Sequence, residues 1–185
     1  MELFLNILLN NVDTMMLSHY SENAVGAVGN ANQLMFIFMV MFNVIASATN
    51  VIVAQYLGAK KYDQMNQIYT LSFVFNLILG IIMSVVVFFF AHVFLGILKV
   101  PGEMIGLSTD YMRIVGAALF LNAGFNVMTQ ILRCNGYAKA GMFISIIVNL
   151  VNIAGNWLFL YGPMSYLGLG VRGVAYATVT ARACA

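Results

Sequence analysis

An all-α, polytopic transmembrane helical bundle is the fold class this sequence predicts, and three observations carry the prediction. Of the 185 residues, 62% are hydrophobic and only 8% are charged, whereas a soluble domain averages about 25% charged residues. Mean hydropathy is +0.92, and apolar runs such as Phe73 to Leu98 exceed the roughly 20 residues that cross a bilayer as a helix. So little charge cannot cover so much apolar surface. Lipid must be the solvent for most of these side chains, and in lipid a chain has to satisfy its own backbone hydrogen bonds.

Hydropathy and chain breakers divide the sequence into six segments. The first helix is expected from about Leu3 to Leu17, followed by a polar turn from Ser18 to Asn23. Its start, Met1-Glu2-Leu3, has neither the basic region nor the cleavage site of a secretory signal, so this helix is expected to be retained. The second runs from Ala24 to Tyr56. At 1.5 Å per residue it would reach about 50 Å, more than the roughly 30 Å hydrocarbon layer, so it must tilt, bend or protrude. Gly58 is expected to stop it. The third follows Lys60 and Lys61, opens amphipathically from Tyr62 to Gln67 and continues to Leu98, where Pro101 and Gly102 end it. The fourth spans Leu107 to Leu132, and a loop with Arg133, Gly136 and Lys139 leads to the fifth, Ala140 to Tyr161. After Gly162, Pro163, Gly168 and Gly170, the sixth segment, Val171 to Ala185, would extend only about 22 Å and reads as truncated. The first is also short of a span, so Met1 reads as an internal methionine or a late start.

Basic residues in short loops mark the cytoplasmic side. Lys60, Lys61, Arg133 and Lys139 fall on one side, while Glu22, Lys99, Glu103, Asp110 and Arg172 fall on the other, with Arg113 just inside the fourth helix. This places the amino terminus in the cytoplasm and the protein in the cell (inner) membrane. Neither charge sign forms a run beyond Lys60 and Lys61, so no nucleic-acid footprint is present. Cys134 and Cys184 lack metal or redox spacing and read as packing residues. His19 and His92 lie near helix ends or in a turn and receive no role.

Polar side chains that persist inside apolar helices must face protein or water. Asn6, Asn10 and Asp13 stand at i, i+4 and i+7, one face of the first helix. Asn43, Ser47 and Asn50 repeat that spacing on the second, with Asn32 farther back on the same face. The fourth carries Asn122, Asn126, Thr129 and Arg133, and the fifth carries Ser145, Asn149, Asn152 and Asn156. Single amides of this kind commonly join helices, each pair contributing about 0.6 kcal/mol. Four aligned stripes point instead to a shared, hydrated cavity. The third helix has almost no polar stripe between Leu77 and Leu98 and is expected to face lipid. Asp13 differs in kind, since a carboxylate at a helix centre costs about 2.5 to 3.5 kcal/mol on insertion scales and marks an ion pathway by default. The competing reading makes it an end cap near the interface.

Several strings then resemble one family: Asn11-Val12-Asp13-Thr14-Met15-Met16, Ala27-Val28-Gly29-Asn30-Ala31-Asn32-Gln33, Ala54-Gln55-Tyr56-Leu57-Gly58-Ala59, Arg133-Cys134-Asn135-Gly136, Asn152-Ile153-Ala154-Gly155-Asn156, and Gly170-Val171-Arg172-Gly173-Val174-Ala175-Tyr176-Ala177-Thr178. In this order and spacing they resemble the multidrug and toxic compound extrusion (MATE) transporters. The resemblance implies a twelve-helix exporter of two six-helix lobes, with residues 1–185 the amino-terminal lobe and the second lobe of the same chain missing here. It implies exchange of amphipathic cationic small molecules for sodium or protons by alternating access, with no cofactor beyond the coupling ion. It also implies an ion site, sodium included, at Asp13, Asn152 and Thr178. One branch of the family has a second acid four residues after the fifth-helix Asn, where this chain has Asn156. A neutral amide offers an oxygen but no charge or proton, so the site carries at most one negative charge. Gln33 joins Asn10, Asn32, Asn43, Asn50, Asn122, Asn126 and Asn149 as candidates to line the cavity. The turn Ser18-His19-Tyr20 lacks the glycine common there, which leaves the subfamily open.

Two other functions fit a polytopic bundle. A related flippase for lipid-linked saccharides would need a larger, more basic cavity, and Arg and Lys are scarce within these helices. A non-transporting membrane scaffold would tolerate cavity substitutions except through stability. No nucleophile, base or metal constellation stands at usable spacing, which points away from an enzyme.

Overall fold

The computed structural model describes residues 15–18, 21–60, 62–162 and 170–184. Most of the expected first helix lies outside the described residues, including Asn6, Asn10 and Asp13. Its described part, residues 15–18, is helical and is α1 here. Then come α2 (Glu22–Gly58), α3 (Tyr62–Ile97), α4 (Gly102–Ala117), α5 (Leu119–Cys134), α6 (Ala138–Leu160) and α7 (Gly170–Ala183). No strand occurs among the described residues.

The spans α2, Gln64–Ile97 within α3, and Lys139–Leu160 within α6 are each long and apolar enough to cross a membrane. α4 and α5 add a fourth span if the bent pair is counted as one. The bundle is apolar on its outside, where Ile37, Leu71, Phe89 and Ile97 are exposed. Small residues such as Ala27, Ala31, Ala46, Ala123 and Ala175 fill its interior. That inversion suits lipid, where close backbone approach and van der Waals packing hold helices together. This is a multi-pass membrane protein.

The expected single helix from Leu107 to Leu132 is corrected to two helices meeting at Ala118 with a bend of 49°. Hydropathy cannot see such a bend, because the residues on both sides are apolar. The break exposes first-turn amides that an unbroken helix would have satisfied. Ser84 of α3 answers one of them, its Oγ accepting from the Phe120 amide at 3.2 Å while itself buried. The α3 region expected to face lipid therefore has two sides. Ile82, Phe89 and Val93 are exposed, while Val87, Ala91 and Leu95 are fully buried against the bundle.

Two glycines set how closely helices approach. A Cβ on Gly80 of α3 would stand 2.8 Å from the Phe120 Cα, and one on Gly116 of α4 would stand 2.3 Å from Val87 Cγ1.

The helix ends divide as the charge pattern predicts. α2 ends at Gly58, the glycine expected to stop it, and the left-handed residue beyond is Lys60 (φ 56°). At the same end α5 closes on Gly136 (φ 82°), with the Tyr137 amide bonded to the Leu132 carbonyl at 2.9 Å. This is a Schellman closure. Asn50 of α2 donates to Gln130 of α5 at 2.7 Å, and Asn135 donates to Tyr69 of α3 at 3.0 Å. These bonds gather Lys60, Arg133 and Lys139 at one end of the bundle. At the other end Arg172 of α7 makes two hydrogen bonds to Asp110 of α4, at 3.0 and 2.8 Å.

Candidate functional site

Toward the Asp110–Arg172 end, α1, α2, α4, α6 and α7 surround an open-sided cavity of about 340 Å³. Each long helix contributes one stripe at helical spacing. Val28, Asn32, Met35, Phe36 and Met39 come from α2; Tyr111 and Val115 from α4; Val148, Asn149, Asn152 and Asn156 from α6; Val174, Thr178, Ala181 and Arg182 from α7. Leu17 supplies the contact from α1.

α6 and α7 are pressed together at Gly155, where a Cβ would stand 2.7 Å from Ala177 Cβ. That closeness lets their polar stripes bond directly. Asn156 Nδ2 donates to Asn152 Oδ1 at 3.2 Å, and Asn152 Nδ2 donates to Thr178 Oγ1 at 3.1 Å. Thr178 Oγ1 in turn donates to the Val174 carbonyl at 2.9 Å. One turn away, Asn149 donates to the Ser145 carbonyl at 2.8 Å. Across the cavity, Tyr111 Oη donates to Asn32 Oδ1 at 3.3 Å and ties α4 to α2.

The structure thus brings together Asn152, Asn156 and Thr178, three of the four residues expected to couple an ion. Asp13 lies outside the described residues. Asn152 Oδ1 and Thr178 Oγ1 are neutral oxygens held near one another, each already accepting one hydrogen bond and each with a lone pair left. A sodium ion requires several oxygen ligands. The two fit as part of such a set, but the negative charge has to come from another residue. Among the described residues no group of three or more His, Cys, Asp or Glu side chains stands close enough to hold a metal.

Of the candidate lining residues, Asn32 and Asn149 line the cavity and Asn10 lies outside the described residues. Gln33, Asn43, Asn50, Asn122 and Asn126 do not line it, which corrects the expectation of four stripes on one chamber. The reasons are geometric. Gln33 is one residue, about 100° of helical turn, off the Asn32 face and is exposed. Asn50 shares the face of Asn32 but lies about 27 Å farther along α2, where it bonds Gln130. Asn43 is exposed and turns its amide back to the Met39 carbonyl at 2.9 Å. Asn122 and Asn126 sit on α5, which the bend at Ala118 carries away from the cavity. The fourth expected helix contributes through Tyr111 and Val115 instead.

Tyr111 and Arg182 are the functional candidates that sequence reasoning missed. The signal for Arg182 was available, because it stands four residues after Thr178 and eight after Val174.

A family model described as MatE matches residues 1–158. The uncharacterized transporter YisQ of Bacillus subtilis (strain 168) is 36% identical over 181 residues, which is 98% of this chain and 40% of that protein. The probable multidrug resistance protein YoeA of the same organism is 27% identical over 157 residues, 85% of this chain and 34% of that protein. A crystal structure of MATE in complex with MaD3S superposes with a TM-score of 0.89 at 24% identity, over 99% of this chain and 40% of that one. The chain therefore spans about two fifths or less of the length of the relatives it matches.

Proposed function

The chain belongs to the MatE family, and from that premise we propose that it forms the amino-terminal lobe of a secondary active efflux transporter. In this reading the complete protein exchanges amphipathic organic cations for sodium or protons by alternating access. It sits in the cell (inner) membrane with its amino terminus and the Lys60, Arg133 and Lys139 end in the cytoplasm.

One observation carries the reading. In a bundle apolar on its outside, polar side chains from four helices converge on a single cavity, Asn32, Tyr111, Asn152 and Thr178 among them. A scaffold has no use for a chamber so lined, and unfilled space between helices forfeits packing energy. A saccharide flippase would want several cationic groups, and the described lining has one.

The ion-coupling set is Asp13, Asn152, Asn156 and Thr178. Asp13 supplies the charge, and the hydrogen-bonded row from Asn156 to Thr178 supplies oxygens that exchange bonds when a cation or proton arrives. Coupling then follows from antagonism: occupancy by the ion disfavours the drug-bound arrangement, and linkage makes the effect reciprocal.

The test uses the complete protein in liposomes carrying an imposed sodium or proton gradient, with an amphipathic fluorescent cation as cargo. Transport that follows either gradient and collapses with it is expected; cargo movement indifferent to both would remove the proposal. A second result is expected from Asn156→Asp. It adds an acid beside Asn152 and so gives the cavity a second titrating group. The pH or sodium dependence of transport should move, and a superimposable profile would take Asn156 out of the coupling set.

A further inference from the structure

Arg182 is the one formal charge among the described residues that line the cavity, and the proposed exchange of cations gives it no task. Its Nη1 is shielded from solvent and has no hydrogen-bond partner among the described residues. An arginine inside a membrane bundle costs several kcal/mol and is retained where it pairs or faces a functional cavity. Around it Asn156 bonds Asn152, Asn152 bonds Thr178, and Tyr111 bonds Asn32. Nη1 is an uncommitted donor, and the fork geometry of a guanidinium suits carboxylate and phosphate oxygens.

We infer that Arg182 is an anion-recognition residue of this cavity, and that the amphipathic cation bound there also carries an acidic group, a carboxylate or phosphate, that pairs with the guanidinium. This rests on the transporter reading and narrows its substrate class. Among amphipathic cations, one that also bears an acid would satisfy Arg182, whereas one without it leaves the guanidinium unpaired. A cavity of about 340 Å³ falls within the range of small-molecule sites. We take the acidic group to belong to a soluble amphiphile, with a lipid headgroup as the alternative that the experiment separates.

The experiment measures equilibrium binding to the complete protein in detergent. The probes are three fluorescent naphthalene derivatives bearing an ammonium, a carboxylate, or both, together with a short-chain phosphatidic acid. Wild type should prefer the naphthalene bearing both groups to the one bearing the ammonium alone. R182Q should weaken the two acid-bearing naphthalenes by roughly 10- to 100-fold, the worth of a charge-assisted pair, and leave the ammonium probe within about twofold. R182K, which keeps the charge but not the fork, should fall between them. Three outcomes would overturn the inference: no wild-type preference for the probe bearing both groups over the ammonium alone, equal loss of all three naphthalene probes in R182Q, or Arg182-dependent binding confined to phosphatidic acid. The wild-type comparison needs no variant to fold. Gradient-driven transport is measured separately. Arg182-dependent binding without gradient response would sink the transporter reading alone, and gradient-driven transport without any acid preference would sink only this inference.

Discussion

Asp13→Asn in the complete protein is expected to abolish gradient-driven efflux while leaving membrane insertion intact. Asparagine has nearly the shape of aspartate and keeps an oxygen acceptor, so packing and hydrogen bonding are largely conserved. It has no charge to attract sodium and no proton to release. The described partners cannot compensate, because Asn152, Asn156 and Thr178 are all neutral and already bonded in a row. Efflux should drop to the level of protein-free liposomes, a far larger effect than any single amide substitution in the cavity. Membrane abundance by immunoblot separates loss of function from loss of protein. A variant that is present at normal levels and still follows the imposed gradient would leave Asp13 as the interfacial end cap of the alternative reading.

Gly116→Val is expected to cause one of the larger losses of stability among changes in the described bundle that keep the chain apolar. Even the first added atom would stand 2.3 Å from Val87 Cγ1 and 3.2 Å from Val87 Cβ. Neither side can yield cheaply. Val87 is fully buried and β-branched, with one strongly preferred side-chain rotamer in a helix, and Met35 already closes the site from α2, its Cε 3.5 Å from the added position. Overpacking of this kind costs about 1 to 3 kcal/mol, occasionally more. The shift would also move Val115, the adjacent residue, and Tyr111, more than a turn back along α4, so cavity binding should weaken along with stability. Thermal unfolding in detergent followed by size exclusion would register the loss. The double variant Val87→Ala, Gly116→Ala should recover much of it relative to Gly116→Ala alone, with a coupling of about 0.5 to 3 kcal/mol. If Gly116→Ala alone matched wild type, the α3–α4 contact would be looser than its geometry requires.

That Asn152 and Asn156 share one face was legible from helical spacing, whereas Thr178 was named only through the family string, and the structure joins the three in one row. Depth was not legible. Asn32 and Asn50 share one face of α2, yet one lines the cavity and the other ties α2 to α5 near the basic end. Spacing fixes an angle around a helix axis but gives no information about which neighbour stands at that height. Ser84 shows the same limit from another side. Within an apolar run it reads as an incidental hydroxyl, and only the break at Ala118 gives it an amide to bond.

By itself the sequence determined the solvent, the class and, among the described residues, the helix count to within one break, because these follow from local composition and from the need to satisfy backbone groups in lipid. It also determined which end of the bundle collects Lys60, Arg133 and Lys139. The tertiary structure alone decided which polar residues meet. The 49° bend sends Asn122 and Asn126 away from the cavity and leaves Tyr111 in it, and the close approach at Gly155 joins α6 to α7. Arg182 enters the same chamber for that reason. Meeting is a property of crossing angles and depths between segments far apart in the chain, and those are set by packing, which no local pattern of residues encodes.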